Sequence, residues 1–188
     1  ILTNHGFDSK LKASPAAWSA ASYRQPREII MRILKYLVLM VFTAATTWPV
    51  LAGEVAYPNG FRQWQHVKSM VLKPGHPLYD AVGGMHHIYA NDKALKGYQS
   101  GRFADGSVIV FDLFEAVDQD NAVAEGGRKA VLVMVRNHKA FKASDGWGYE
   151  IFDAKTHKGS LDAKGQADCH ACHQSQKGKD FVFSAWRD

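Results

Sequence analysis

The residues best suited to chemistry form the segment Cys169-His170-Ala171-Cys172-His173. This is the Cys-x-x-Cys-His spacing of covalent haem c attachment. Two thiols one helical turn apart can each add to a vinyl group of the macrocycle, and the imidazole of His173 then reaches iron from the same side. The same residues admit other readings. A thioredoxin-like Cys-x-x-Cys needs a βαβ context that the surrounding sequence lacks, and it leaves His173 without a role. A zinc site using Cys169, Cys172 and a histidine has no suitably placed second ligand pair. A disulfide between the two cysteines is compatible with an exported protein. One covalent haem c is the reading that uses all three side chains.

The sixth iron position decides what such a haem does. A methionine there raises the potential and favours electron transfer, but Met70, Met85 and Met134 all precede the motif and none follows it. His86 and His87, on an expected strand, are the nitrogen candidates; the plainer reading is a pair of hydrogen-bonded strand histidines. An iron without a sixth protein ligand leaves room for a small gas or a reactive substrate. His66, His76, His138, His157 and His170 are expected in surface or structural roles.

These side chains need a scaffold, and the pattern around them is sheet-rich. Residues 64–72 and 84–90 read as strands, separated by the breaker Lys73-Pro74-Gly75-His76-Pro77. Asn91 is a good N-cap for a short helix over 92–100, which ends at Gly101, where glycine is favoured. After the Asp105-Gly106 turn, residues 107–114 form the strongest strand, rich in β-branched and aromatic side chains. Residues 118–127 read as a polar loop, 130–135 and 148–152 as further strands, and 167–175 as a helix that carries the motif. Short strands joined by turns predict an α+β domain, mostly antiparallel β-sheet with a few short helices on one face or end, binding a single haem c.

Only part of the chain belongs to that domain. Met31 opens a segment with Arg32 and Lys35 as a positive start, an apolar stretch over 36–45, and Val50-Leu51-Ala52 as a small-residue cleavage site. That is the layout of a secretory signal peptide. The stretch is shorter than the roughly 18 to 20 residues of a spanning helix, so no stable membrane anchor is expected, although an uncleaved anchor or a core helix is the competing reading. Residues 1–30 read as an upstream extension, 31–52 as the signal peptide and 53–188 as the haem-binding domain, exported to the periplasm.

The division changes the meaning of the charge. The whole chain has a net charge of +5, but its first 52 residues hold six bases and two acids, so the remainder keeps seventeen bases and sixteen acids. A near-neutral domain is not a nucleic-acid binder. A composition of 46% hydrophobic and 22% charged residues excludes a fibrous or wholly disordered chain.

Beyond the motif, three segments stand out: Phe61-Arg62-Gln63-Trp64, Gly101-Arg102-Phe103-Ala104-Asp105-Gly106-Ser107-Val108, and Phe181-Val182-Phe183-Ser184. In this order, with the haem motif before the last of them, they resemble the cytochrome P-460 and cytochrome c′-beta family over residues 57–187. The resemblance implies a periplasmic homodimer of mostly antiparallel subunits. Each would hold one haem c with His173 as proximal ligand and an otherwise open iron.

Two branches of that family differ on the distal side. The P-460 branch oxidises hydroxylamine, with a lysine cross-linked to the haem and a pocket carboxylate. At the lysine position this chain has Phe111, and near the glutamate position Leu132. A family arginine aligns with His86 and a family phenylalanine with Val82. Lys96 is the nearest alternative lysine, on the expected helix. A phenylalanine forms no nitrogen cross-link and a leucine accepts no proton, so the chain is similar to the c′-beta branch, whose apolar distal pocket binds nitric oxide and carbon monoxide.

The expectation is therefore a gas-binding cytochrome that scavenges or transfers nitric oxide, rather than an enzyme. Phe111 would limit access, and Leu132 and Val82 would keep the site dry. A hydroxylamine-oxidising enzyme, and an electron-transfer cytochrome ligated by His86 or His87, are the alternatives. The redox partner is not identified by the sequence.

Overall fold

The computed structural model describes residues 53–187. Five strands form one antiparallel sheet: β1 (Gln65–Leu72), β2 (Gly84–Ala90), β3 (Val108–Gln119), β4 (Ala122–Arg136) and β5 (Trp147–Asp153). They lie in sequence order, each paired with the next. Two short helices interrupt this meander, α1 (Tyr79–Val82) and α2 (Asp92–Ser100), and a third, α3 (Ala163–His173), follows β5 and leads into a 3₁₀ segment, Gln174–Lys179. The fold is α+β and mostly antiparallel, as the sequence predicts.

Alternation along the strands gives the sheet two apolar faces. Cross-strand partners share a face, so the row Lys68–Ile88–Phe111–Leu132–Ile151 lies on one side. That first face carries a core of Ile88, Ala90, Ile109, Trp147 and Tyr149, closed by Ala94 of α2, Phe103, Phe181 and Val182. The second face packs Val110, Val131, Val133 and Phe152 against Val55, Phe61 and Phe141.

Asp112 also lies on the second face, with no exposed surface. Arg62 Nε reaches its carboxylate at 3.0 Å and Arg128 Nε at 2.8 Å. A buried carboxylate without such partners would cost several kcal/mol, roughly the ion's residual desolvation penalty.

Helix α2 begins and ends as its caps predict. Asn91 Oδ1 accepts from Ala94 N–H at 2.9 Å, and Gly101 adopts φ 75°. The polar loop expected over 118–127 is instead a continuation of β3 and β4 to a two-residue turn at Asp120 and Asn121, with φ of 51° and 62°. Asp and Asn tolerate the left-handed region that tight hairpins use. This ribbon carries mostly exposed side chains, so its strands pair without apolar alternation to reveal them. The motif helix starts earlier than expected, at an Asp162 cap that accepts from Gly165 N–H at 2.7 Å.

Among the described residues no helix is long and apolar enough to cross a membrane. The expected signal peptide and upstream extension lie outside the described residues.

Candidate functional site

The last turn of α3 presents Cys169, Cys172 and His173 together. Both cysteines are free thiols, Cys169 half-buried against the first-face core and Cys172 exposed. Burial pushes the Cys169 thiol pKa up. Spacing of three residues makes the two thiols neighbours on the helix surface.

His173 is held in one orientation. Its Nδ1–H donates to the Phe181 carbonyl at 2.7 Å, which leaves the Nε2 lone pair free for a metal. Burial lowers its pKa from the ordinary histidine value, against an opposing effect of the Phe181 hydrogen bond. The ring lies 5.0 Å from Tyr149 and 4.9 Å from Phe183, edge-on to the latter.

The carbonyl that fixes His173 comes from unusual backbone. Asp180 and Phe181 have φ of 51° and 66°, a region that non-glycine residues occupy at a cost of about 1–3 kcal/mol each. Three contacts of Asp180 hold it there. Its Oδ2 accepts from Phe103 N–H at 2.8 Å, its Oδ1 lies 3.3 Å from the Arg136 guanidinium, and its carbonyl accepts from the Trp147 indole at 3.0 Å.

His170, expected in a surface or structural role, is only 7% exposed and is structural. Its Nε2 lies 3.0 Å from the Asp145 carboxylate and its Nδ1 3.2 Å from the Tyr149 hydroxyl. The pair of bonds ties the end of α3 to β5 and to the loop before it. Tyr149, whose pKa burial pushes up, thereby supports His173 with its ring and His170 with its hydroxyl.

Across from the motif, Phe111 and Leu132 are direct partners on β3 and β4. Together with Ile151 they are only half-buried, although they sit mid-strand on the face that also carries Tyr149. Helix α3 packs on β5 over that face. An incompletely covered apolar row, a nitrogen with a free lone pair and two free thiols fit a flat apolar macrocycle tethered to α3.

His86 joins Phe111 on this face. Their rings stack with centroids 4.0 Å apart and planes 20° from parallel. His86 is buried, and its Nδ1 has no hydrogen-bond partner. Burial first, then the charges of His87 and Lys68, push its pKa down to about 4.

His87, the other nitrogen candidate, points to the opposite face, because adjacent strand residues alternate; there it meets Ser69 and Glu125. Val82 is half-buried at the end of α1, outside the strand row. Lys96 is an exposed residue of α2. The lysine overlooked by sequence reasoning is Lys68, half-buried at the β1 end of the row, opposite Ile88. With His86 it gives an otherwise apolar face a polar margin.

A cavity of about 700 Å³ borders Phe181 and is lined by Arg102, Arg136, His138, Lys142 and Asp145 among others. Its lining includes Asp180 and Phe181, which support His173, but not Cys169, Cys172, His173, Phe111, Leu132 or His86.

No curated protein matches the chain. A family model described as Cytochrome P460 matches residues 58–184, a span that contains all five strands, the three helices and the Cys-x-x-Cys-His motif. The chain therefore belongs to the cytochrome P460 family, and the cofactor that its site is built to hold is a haem.

Proposed function

We propose that this protein holds one haem c through thioether bonds from Cys169 and Cys172, with His173 Nε2 as the proximal ligand and no sixth protein ligand. In this reading it binds nitric oxide or carbon monoxide and does not turn over hydroxylamine. The observation that carries the proposal is the Phe111–Leu132 pair, directly opposed on adjacent strands. Neither side chain can cross-link through nitrogen or accept a proton. The bound haem would supply an iron position open to a diatomic gas.

The chain's own residues do the rest. The Phe181 carbonyl fixes the His173 tautomer and ring angle, while Tyr149 and Phe183 confine the ring. Phe111 restricts approach and Leu132 excludes water, the levers that separate gas binding from catalysis. Export to the periplasm, where such haems are attached, and assembly as a homodimer belong to the same proposal, as does an unidentified redox partner that keeps the haem reduced.

One observation favours a second reading. The unpartnered Nδ1 of buried His86 is a nitrogen on the face of Phe111, and a sixth ligand there would make an electron-transfer cytochrome.

The test is the ferric and ferrous absorption spectrum of the haem-loaded protein, with and without nitric oxide, together with the mass of its haem peptide. A high-spin five-coordinate ferric spectrum and two thioether links are expected. A low-spin ferric spectrum that H86A converts to high-spin would establish histidine ligation instead. A third protein–haem bond would point to the hydroxylamine-oxidising branch.

A further inference from the structure

Four cations from four separate segments meet at one recess. Arg102 follows α2, Arg136 ends β4, Lys142 lies in the turn before β5, and Lys177 belongs to the 3₁₀ segment after α3. All four line the cavity of about 700 Å³ beside Phe181, together with two carboxylates, Asp145 and Asp180. Both carboxylates are already engaged. Asp145 Oδ2 lies 3.0 Å from His170 Nε2, and Asp180 Oδ2 accepts from Phe103 N–H at 2.8 Å. His138, also at the cavity, adds no fixed charge: its Nδ1–H donates to the Asp105 carboxylate at 2.6 Å, and its Nε2 accepts from Arg136 at 2.8 Å. Four positive charges against two negative leave the recess at +2, in a domain with seventeen bases and sixteen acids.

Arg136 is the buried member of the set, only 7% exposed. Its guanidinium reaches the Asp145 carbonyl at 2.8 Å and the Asp180 carboxylate at 3.3 Å, and its Nε has no partner. Charge-assisted bonds of this kind are usually about 2.7–2.9 Å, so the buried charge is incompletely countered. Arg102, Lys142 and Lys177 are exposed, and among the described residues their side chains make no hydrogen bond or ion pair. Gathering like charges opposes folding. A ligand that binds only the folded arrangement offsets that cost.

We propose that this cavity binds a small, multiply charged oxyanion, of phosphate or polycarboxylate type, at a site separate from the strand row of Phe111. Its volume lies in the range of about 300–1,000 Å³ usual for small-molecule sites. A recess with cations on several sides encloses a small ligand, whereas a flat basic patch would suit an acidic protein. The three exposed cations close on the anion from different segments. Buried Arg136 supplies a permanent charge where the low local dielectric makes it count for more. The site also reaches the proximal histidine. Arg136 pairs with Asp180, and the next residue, Phe181, provides the carbonyl that orients His173. An anion that draws on Arg136 competes with Asp180 and so perturbs that carbonyl. This coupling rests on His173 as the iron ligand; the binding itself does not.

Calorimetric titration of the haem-loaded protein with inorganic phosphate and with citrate, at constant ionic strength, tests the site. One anion per chain is expected, and the tighter of the two identifies a phosphate-type or a polycarboxylate ligand. R102Q, K142Q and K177Q each remove one exposed charge and should weaken binding by up to about fivefold, and the triple variant by about tenfold or more. K155Q, which removes an exposed lysine outside the cavity, should bind as the unmodified protein does. No saturable binding of either anion, binding unchanged in the triple variant, or equal weakening by K155Q overturns the proposal. At saturating anion the iron–histidine stretch in resonance Raman spectra should shift. A bound anion that leaves that band in place overturns the coupling to His173, and anion binding to a protein without such a band refutes the ligation by His173 rather than the site.

Discussion

Replacing Phe111 by alanine probes the proposed gas site most directly. The ring is half-buried and stacks on His86 with centroids 4.0 Å apart. A ligand that enters beneath it must displace the ring from this stack, at about 0.5–1.5 kcal/mol for the aromatic pair. Moving it off its preferred rotamer adds about 0.5–1.5 kcal/mol. The barrier contribution is then about 1–3 kcal/mol, and its removal should speed association by at least about fivefold and at most about 160-fold.

Flash photolysis of the ferrous carbon monoxide complex measures that rate. H86A should speed association too, by less, because it removes only the stacking partner. The double variant should gain less than the product of the two single effects, since both act on one contact. Loss of packing at a half-buried phenylalanine is expected to cost about 2 kcal/mol, below the figure for a fully buried one; F111L retains more of the packing if F111A is too unstable. An association rate unchanged in F111A, or accelerated equally and independently by H86A, would refute the assignment of Phe111 as the steric gate.

Two further outcomes follow from the structure. D180A removes the carboxylate that holds the left-handed Asp180–Phe181 backbone. It should destabilise the protein by about 2–3 kcal/mol in urea unfolding, a buried charge-assisted contact being lost; it should also shift the iron–histidine stretch in resonance Raman spectra, whereas an unshifted band would mean that Phe181 does not orient His173. Tyr98, hydrogen-bonded to Ser184 Oγ at 2.7 Å, has its pKa raised by burial from 10.0 to about 12. Between those values the unfolded chain gives up a proton that the folded chain keeps, so stability falls as pH rises from 10 to 12, by about 2 kcal/mol. Alkaline unfolding curves of wild type and Y98F should diverge across that window, and parallel curves would contradict the shift.

What the sequence revealed depended on how local the physics was. The Cys-x-x-Cys-His spacing is local in the chain, so Cys169, Cys172 and His173 are legible in the sequence as the candidate haem-attachment segment. The α2 boundaries were legible because Asn91 and Gly101 act within a turn of themselves. The ribbon at Asp120 and Asn121 was obscured because strands solvated on both faces lose the alternation that marks them. Neighbouring His86 and His87 looked equivalent as ligands, yet alternation alone places them on opposite faces. The Phe181 carbonyl left no side-chain signal, since any residue supplies a carbonyl. The φ of 66° at Phe181 is held through its neighbour Asp180 by Phe103, Arg136 and Trp147, all distant in sequence.

The proposed gas site also depends on residues that never approach it. Phe111 and Leu132 lie toward α3 only while β3 and β4 keep their register, and a slip of one residue would turn every side chain over. The penalty for such a slip is set on the second face. It would expose Val110, Val131 and Val133 and pull Asp112 away from Arg62 and Arg128. The first face adds to that restraint through Ile109 and Leu113, but less so along the half-covered row Phe111–Leu132–Ile151, which leaves space for a cofactor. One side of the sheet is closed and ion-paired, and so fixes the register; the other can therefore remain open enough to bind.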